Sequence, residues 1–202
     1  MLTIKVYATI LAAVCAACAT AGVKPGDTAP DFSETDVAGK TVSLADFKGK
    51  YVVLEWTNYG CPFVRKHYDS GNMQKLQAEA VAAGDVWLTI CSAAPGKGGQ
   101  LPASKFAAAA EKMNSKPTAI LLDEDGSTGQ AFGARVTPHL IVVNPEGKVI
   151  YNGAIDDKPS TKAADVEAAE NYVQAALAAA KAGKPVAKAA TKPYGCGIKY
   201  PR

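Results

Sequence analysis

The sequence predicts an α/β domain built on a central mixed β-sheet with helices on its faces. Residues 51–56 and 86–91 are predominantly apolar stretches of strand length, which is typical of buried strands. The segment between them has helical periodicity and is long enough for a crossover, so the two strands are predicted to be parallel. Hairpin signals before and after this unit add antiparallel strands, which makes the sheet mixed.

The other elements are predicted in chain order from turn signals and periodicity. Residues 31–44 form an N-terminal β-hairpin that turns at Ala38-Gly39. A helix opens at Pro62, is interrupted at Ser70-Gly71 and resumes until Gly84. The remaining predicted elements are a helix over 101–113, a strand over 118–122, a hairpin of strands 140–143 and 148–153, and a last helix over 161–182.

Composition and the two termini set the domain organisation. The 202 residues are 48% hydrophobic with a formal net charge of +3, which suits one globular domain and does not argue for nucleic acid. Residues 1–21 have the parts of a signal peptide, so the protein is predicted to be periplasmic and free of the membrane after cleavage. Lipidation at Cys18 is the less favoured alternative. Residues 22–183 form the domain, and 184–202 are predicted to be a flexible tail.

The mature chain keeps three cysteines, Cys61, Cys91 and Cys196, because Cys15 and Cys18 lie in the predicted signal peptide. An exported protein meets an oxidising compartment, where an odd count implies one disulfide and a free thiol, or thiols that exchange. Three thiols are too few for a disulfide scaffold, so the sequence favours redox chemistry.

Cys61 is the strongest candidate for a reactive thiol because it lies between a buried strand and a helix N-terminus. The unpaired N–H groups and the macrodipole of such a terminus stabilise a thiolate and lower the pKa of a cysteine. Pro62 suits the first helical position, since a residue there needs no N–H partner. Arg65, one turn later, returns to the same helix face and is predicted to add a second positive charge.

The order of elements, with Cys61 opening a helix and a Thr137-Pro138 step before the C-terminal hairpin, resembles the thioredoxin fold. Several segments also resemble the alkyl hydroperoxide reductase and thiol-specific antioxidant superfamily, in particular its exported peroxiredoxin-like members. These segments are Gly26-Asp27-x-Ala29-Pro30-Asp31-Phe32, Glu55-Trp56-Thr57-Asn58-x-x-Cys61-Pro62-Phe63-Val64, Lys66-His67-Tyr68, Gly71-Asn72-Met73, residues 92–97 and 151–157, and Gly195-Cys196-x-x-Lys199-Tyr200.

This resemblance implies an antioxidant or a thiol–disulfide oxidoreductase with Cys61 as its redox-active residue. The first expectation is that Cys61 attacks a peroxide and that a second thiol resolves the product; exchange with protein disulfides is the alternative. Thr137 and Pro138 are expected to form the loop whose backbone pairs with an extended substrate. The residues expected near the site are Trp56, Thr57, Asn58 and Pro62.

A few positions depart from the patterns of the related families. Val64 stands where thioredoxins carry their second cysteine, so the same helical turn cannot resolve Cys61. Asn58 and Leu54 stand where peroxiredoxins carry threonine or serine and proline, and Thr57 is one residue out of register. These departures leave peroxide and protein disulfide both open as substrates.

Two cysteines could complete the cycle with Cys61. Cys196, between two glycines of the tail, is favoured partly because the similar proteins end this way, and Cys91, at the carboxyl edge of the predicted sheet, is the alternative. An external thiol reductant such as a thioredoxin-like donor is expected, whereas no cofactor or metal is predicted. A copper carrier using Cys61 with His67 or His139 is an alternative of another class. The sequence leaves the oligomeric state open.

Overall fold

The computed structural model describes residues 22–201, which form a seven-stranded mixed sheet and a separate two-stranded sheet. The large sheet contains β1 (Ser33–Asp36), β2 (Thr41–Ser43), β3 (Val52–Trp56), β4 (Val86–Cys91), β5 (Ala119–Leu122), β7 (His139–Val143) and β8 (Val149–Gly153), and the small one contains β6 (Val136–Thr137) and β9 (Cys196–Gly197). The order in the large sheet is β2-β1-β5-β4-β3-β7-β8. Strands β3, β4 and β5 are parallel and all other neighbours are antiparallel, which confirms the mixed sheet and the N-terminal hairpin.

Five α-helices and two short 3-10 helices connect these strands. They are η1 (Leu44–Phe47), α1 (Pro62–Asp69), α2 (Asn72–Ala82), α3 (Ala103–Lys112), α4 (Ser127–Phe132), η2 (Ala163–Val166) and α5 (Tyr172–Lys181). Gly71 separates α1 from α2 where the sequence predicts an interruption. Its φ of +77° lies in the left-handed region, which glycine adopts at little cost.

The core consists of two hydrophobic layers, one on each face of the large sheet, because successive side chains of a strand point to opposite faces. Along β3, Val53 joins the layer that contains Val64 of α1, whereas Leu54 and Trp56 join the layer that contains Phe132 of α4. Every residue of β3 and β4 is buried. The residues that follow β3 therefore leave the sheet from its rigid centre.

The last predicted helix, over 161–182, is only partly helical in the structure. Asn171 caps α5 by accepting a hydrogen bond from the Gln174 N–H at 3.0 Å, and the Tyr172 N–H donates to the Ile155 carbonyl at 3.0 Å. These bonds fix the start of α5 at Tyr172, well after the predicted start at residue 161. Helix α4 was not predicted, because its six residues are too few to display a period.

Residues 184–201, which the sequence predicts to be flexible, pack against the domain. The hydroxyls of Thr191 and Tyr151 are 2.6 Å apart, and the Tyr200 hydroxyl donates to the Ala134 carbonyl at 2.8 Å. Composition gives no sign of this packing because single polar side chains make these contacts, without an apolar stripe that periodicity would detect.

The predicted signal peptide, residues 1–21, and the alternative lipidation at Cys18 lie outside the described residues. Between residues 22 and 201, no helix is long and apolar enough to cross a membrane. The division into a domain over 22–183 and a tail from 184 stays a prediction.

Candidate active site

A disulfide joins Cys61, at the N-terminus of α1, to Cys196 in the C-terminal tail. The two Cα atoms are 6.0 Å apart, although 135 residues separate the cysteines in the chain. The Cys61 residue is only 1% exposed. The structure thus brings together the two thiols that the sequence favours as a redox pair.

Cys61 caps α1, and Pro62 is the first helical residue, as predicted. The first N–H groups of a helix have no partner within it and give this end a positive potential, which favours an anion beside it. The Arg65 guanidinium, which the sequence assigns to the same face, pairs instead with Asp69 at 3.1 Å. The Arg65 side chain is 52% exposed, so water also screens its charge.

The Thr137–Pro138 peptide bond is cis, and the Thr137 carbonyl oxygen lies 3.2 Å from the Cys61 Sγ. Strand β6, which ends at Thr137, pairs with β9 so that Thr137 is opposite Cys196. The predicted loop therefore contacts both cysteines. The other predicted neighbours Trp56, Thr57 and Asn58 line a small cavity together with Thr137 and the tail residues Gly197 and Ile198.

Cys91, the alternative resolving thiol, is free and does not pair with Cys61. It ends β4, is 4% exposed, and its Sγ lies 3.6 Å from the Gly99 carbonyl oxygen. Burial raises the pKa of the Cys91 thiol, which disfavours the thiolate. With Cys61 and Cys196 joined, Cys91 is a buried free thiol at the carboxyl end of β4.

A buried polar cluster holds the tail against α1, and sequence reasoning gave it no role. Lys66 Nζ donates to Asp156 Oδ2 at 2.9 Å, to the Lys158 carbonyl at 2.6 Å and to the Tyr194 hydroxyl at 3.3 Å, so each of its protons has an acceptor. The Tyr194 hydroxyl in turn donates to Asp156. Because Tyr194 precedes the tail cysteine by two residues, this cluster fixes the backbone beside the disulfide.

His67 completes the cluster as a neutral imidazole. Burial lowers the pKa of His67 to about 4; the Asp156 carboxylate opposes this shift and the Lys66 charge reinforces it. The His67 Nδ1 is 3.0 Å from the Asn72 amide nitrogen, which assigns the ring proton to Nε2. That Nε2 lies 3.3 Å from the Tyr194 hydroxyl and donates to it.

Glu55, in the middle of β3, is a second buried polar residue for which the sequence predicted no role. Its carboxylate accepts hydrogen bonds from Tyr68 Oη at 3.1 Å, Gln77 Nε2 at 3.0 Å, Trp87 Nε1 at 2.8 Å and Thr89 Oγ1 at 3.2 Å. Burial raises the pKa of Glu55, and the hydrogen bonds from Trp87, Gln77 and Tyr68 oppose the shift. The position of Glu55 in an otherwise apolar strand, six residues before the cysteine, was the sequence signal that could have predicted a buried, hydrogen-bonded carboxyl group.

His139, considered as a copper ligand, is buried and already has protein partners. Its Nε2 is 2.7 Å from Asn152 Oδ1, and its Nδ1 accepts from the Arg135 N–H at 3.4 Å. Burial lowers the pKa of His139. Within the described part of the chain, no three His, Cys, Asp or Glu side chains are grouped so that they could hold a metal ion.

Comparison with known proteins identifies the family. The family model described as Redoxin matches residues 24–172, which is most of the chain. The chain belongs to the Redoxin family. This Redoxin protein is 26% identical over 135 residues to the thiol-disulfide oxidoreductase ResA of Bacillus subtilis (strain 168). The match spans 63% of the chain and 66%, just under two thirds, of ResA.

Solved structures show that this Redoxin protein has a thioredoxin fold. A hypothetical protein of Sinorhizobium meliloti 1021 is 23% identical with a TM-score of 0.75, covering 89% of this chain and 96% of its own. An uncharacterized conserved protein of Geobacillus kaustophilus is 25% identical with a TM-score of 0.73, covering 88% and 92%. The thioredoxin domain of a Bacteroides vulgatus thiol-disulfide oxidoreductase is 24% identical with a TM-score of 0.53, covering 73% and 98%.

Proposed function

We propose that this Redoxin protein is a thiol–disulfide oxidoreductase whose Cys61 and Cys196 alternate between two thiols and one disulfide. The observation that carries the proposal is the bond between these cysteines, one at a helix N-terminus and one in a tail docked beside the cis-proline loop. The similarity to ResA supports the same chemistry. Peroxide reduction, which the sequence put first, is therefore the second reading.

In the proposed cycle Cys61 is the nucleophile. The N-terminus of α1 stabilises its thiolate, which attacks a substrate disulfide, breaks the S–S bond and releases one substrate thiolate. The Cys196 thiolate then attacks the Cys61 sulfur of the mixed disulfide and releases the second substrate thiolate. Two electrons pass to the substrate, and the protein is left with the Cys61–Cys196 disulfide. An external dithiol must return those electrons, which is why we also propose a thioredoxin-like reductant as partner.

Peroxide reduction stays a prediction because other residue types stand where peroxiredoxins carry the residues that position peroxide. Asn58 occupies the threonine position of peroxiredoxins, and its Oδ1 accepts the Gly60 N–H at 2.9 Å. That bond shapes the turn before Cys61, and it occupies an acceptor where the peroxiredoxin pattern offers a hydroxyl. Leu54, in the proline position, is wholly buried in β3.

The deciding experiment compares two oxidants of the reduced mature protein, hydrogen peroxide and a disulfide-bonded protein, by stopped-flow with products mapped by mass spectrometry. Rapid reaction with the disulfide, lost in Cys61→Ser and arrested as a mixed disulfide in Cys196→Ser, is the expected result. Cys91→Ser is the matched control and keeps the wild-type rate. Rapid oxidation by peroxide alone would instead make the protein a peroxidase. Reaction no faster than that of an ordinary thiol with either oxidant would overturn both readings.

We also propose that the protein works after export, in the periplasm. The support is the signal-peptide pattern of residues 1–21 together with the disulfide, since structural and catalytic disulfides persist in oxidising compartments. Fractionation of cells that express the full chain tests this: the mature protein should begin near residue 22 and appear in the periplasmic fraction. Recovery of the uncleaved chain in the cytoplasm would contradict it.

A further inference from the structure

The tail lies in the groove beside Cys61 as an extended strand. We call this the Thr137 groove, formed by the backbone of residues 135–138 next to Cys61. In the antiparallel pairing, Gly197 is opposite Val136, and Cys196 is opposite Thr137. The Ile198 N–H also donates to the Arg135 carbonyl at 3.0 Å. Backbone pairing of this kind is independent of side chains, so another extended segment can make the same bonds.

The groove treats the residues on either side of the tail cysteine differently. A Cβ added to Gly195 would lie 1.9 Å from the Thr137 carbonyl oxygen and 2.6 Å from its carbon, and backbone atoms cannot move aside cheaply. Gly195 also has a φ of +145°, which residues with a side chain rarely adopt. A Cβ added to Gly197 would find its nearest neighbour, the Arg135 carbonyl oxygen, at 4.0 Å. The groove therefore excludes a side chain before the cysteine and tolerates one after it.

We infer that residues 195–197 are the chain's own occupant of the groove that holds a substrate cysteine, and that this groove selects protein segments in which a glycine directly precedes that cysteine. The inference rests on the proposed function and adds a substrate class to it. In this account Gly195 permits the tail to dock, because it has no Cβ. The Thr137 carbonyl excludes substrate segments that carry a side chain at the position before the cysteine.

Shared occupancy also orders the chemical steps. When the Cys61 thiolate attacks the substrate cysteine, the substrate strand fills the Thr137 groove and the tail is outside it. When the Cys196 thiolate attacks the Cys61 sulfur, the Cys61–substrate bond breaks, the substrate sulfur leaves as a thiolate and takes up a proton, and the Cys61–Cys196 bond forms. Because the two strands compete for the same backbone groups, docking of the tail expels the reduced substrate.

The first test follows tail docking in the full mature chain with Cys91→Ser, so that only two thiols report. An aromatic disulfide reagent with a coloured thiolate reacts first with Cys61, and the second release of colour measures the attack by Cys196. Gly195→Ala is expected to slow the second release roughly 10- to 100-fold, as overpacking against backbone does, without slowing the first. In Gly197→Ala, the matched control, the second release should stay within about threefold of the parent rate, since the nearest neighbour of the added Cβ is 4.0 Å away.

The second test needs no change in the tail sequence apart from Cys196→Ser, which stops the cycle at the mixed disulfide. Three peptides copy residues 194–198, one unchanged, one with alanine before the cysteine and one with alanine after it, each activated by the same aromatic thiol. The peptide with alanine before the cysteine is expected to react roughly 10- to 100-fold more slowly than the other two. Release of the aromatic thiolate gives the rate, and mass spectrometry confirms the Cys61–peptide bond.

The outcomes separate this inference from the function on which it rests. Equal rates for the three peptides, or equal slowing by Gly195→Ala and Gly197→Ala, would overturn the selection for glycine while leaving disulfide exchange at Cys61 intact. Rates at Cys61 no faster than those of an ordinary thiol for every peptide would overturn the proposed function itself.

Discussion

Replacing Tyr194 by phenylalanine removes one hydroxyl from the buried cluster and keeps the aromatic ring. Lys66 Nζ and His67 Nε2 each lose an acceptor, and Asp156 loses a donor. Leaving buried polar and charged groups short of partners costs roughly 1–3 kcal/mol. Because the cluster joins the tail to α1, we expect this cost to fall on tail docking, where it corresponds to roughly a 5- to 150-fold shift towards the released tail.

Native-state amide hydrogen exchange measures that shift directly. The background is Cys196→Ser, so that only noncovalent contacts hold the tail. The Ile198 N–H bonds to the domain, and the Ala94 N–H donates to the tail carbonyl of Lys199 at 2.9 Å, so both exchange only when the tail is released. In Tyr194→Phe both amides should exchange roughly 5- to 150-fold faster.

A matched variant separates tail release from a general loss of stability. Tyr59→Phe also removes a partly buried hydroxyl, one that donates to Ser115 at 3.2 Å outside the tail. It should leave exchange at Ile198 and Ala94 as in the parent. Equal exchange in Tyr194→Phe and Tyr59→Phe would refute the reasoning, and so would an Ile198 amide that is unprotected in the Cys196→Ser parent, because the disulfide alone would then hold the tail.

Four further predictions concern the titratable groups and cysteines of the site. Because the pKa of His67 falls from 6.5 to about 4 on folding, its contribution to stability is present above pH 6.5 and is lost as the pH falls towards 4. Between pH 7 and pH 4.5, urea unfolding should show that the free energy of unfolding decreases by up to about 3 kcal/mol, a decrease that His67→Gln does not share. The pKa of Glu55 is raised above 4.5, so its contribution to stability has the opposite pH dependence. Relative to Glu55→Gln, the wild type should lose stability as the pH rises above about 4.5. Free energies of unfolding that change in parallel with pH in the two proteins would contradict the raised pKa. Cys91 should react with an alkylating agent only at the rate of global unfolding, measured by mass spectrometry of the oxidised protein, because its thiol is buried. Arg65→Gln should leave the pH dependence of Cys61 alkylation in Cys196→Ser as in the parent, since an exposed charge paired with a carboxylate has little effect at a distance. A clear displacement of that pH dependence would support Arg65 as the activating group.

The centre of the fold was predictable because its signals are local. The strands β3 and β4 are predominantly apolar runs, and glycines mark the break at Gly71 and the turn after β7. The last helix was predicted too long, because an alanine-rich stripe before Asn171 has helical period without helical contacts. Helix α5 begins where the Tyr172 N–H bonds to the Ile155 carbonyl, in a part of the chain well before the helix, and no short window of sequence contains that pairing. The Asn171 cap is local, but it marks a helix start only once that bond has fixed the path of the chain.

The candidate site divides in the same way. Thr137 and Pro138 were predicted from their resemblance to a known loop, and in the structure Thr137 lies against both cysteines. Lys66 and His67 follow Cys61 on α1, and the sequence predicted no contact between them and the tail. In the structure both contact the Tyr194 hydroxyl of the tail.

By itself, the sequence determined that this protein has a cysteine between a buried strand and a helix N-terminus, because strand, proline and helix are consecutive residues and their effect on a thiol is local. Only the tertiary structure decided which second thiol lies beside it. Cys91 and Cys196 are both compatible with the sequence. What selects Cys196, 135 residues from Cys61, is a docked tail held by partly buried polar contacts such as that between Lys66 and Tyr194. Such contacts depend on the path of the whole chain, because a single hydroxyl in a tail carries no period or propensity that reveals its partner.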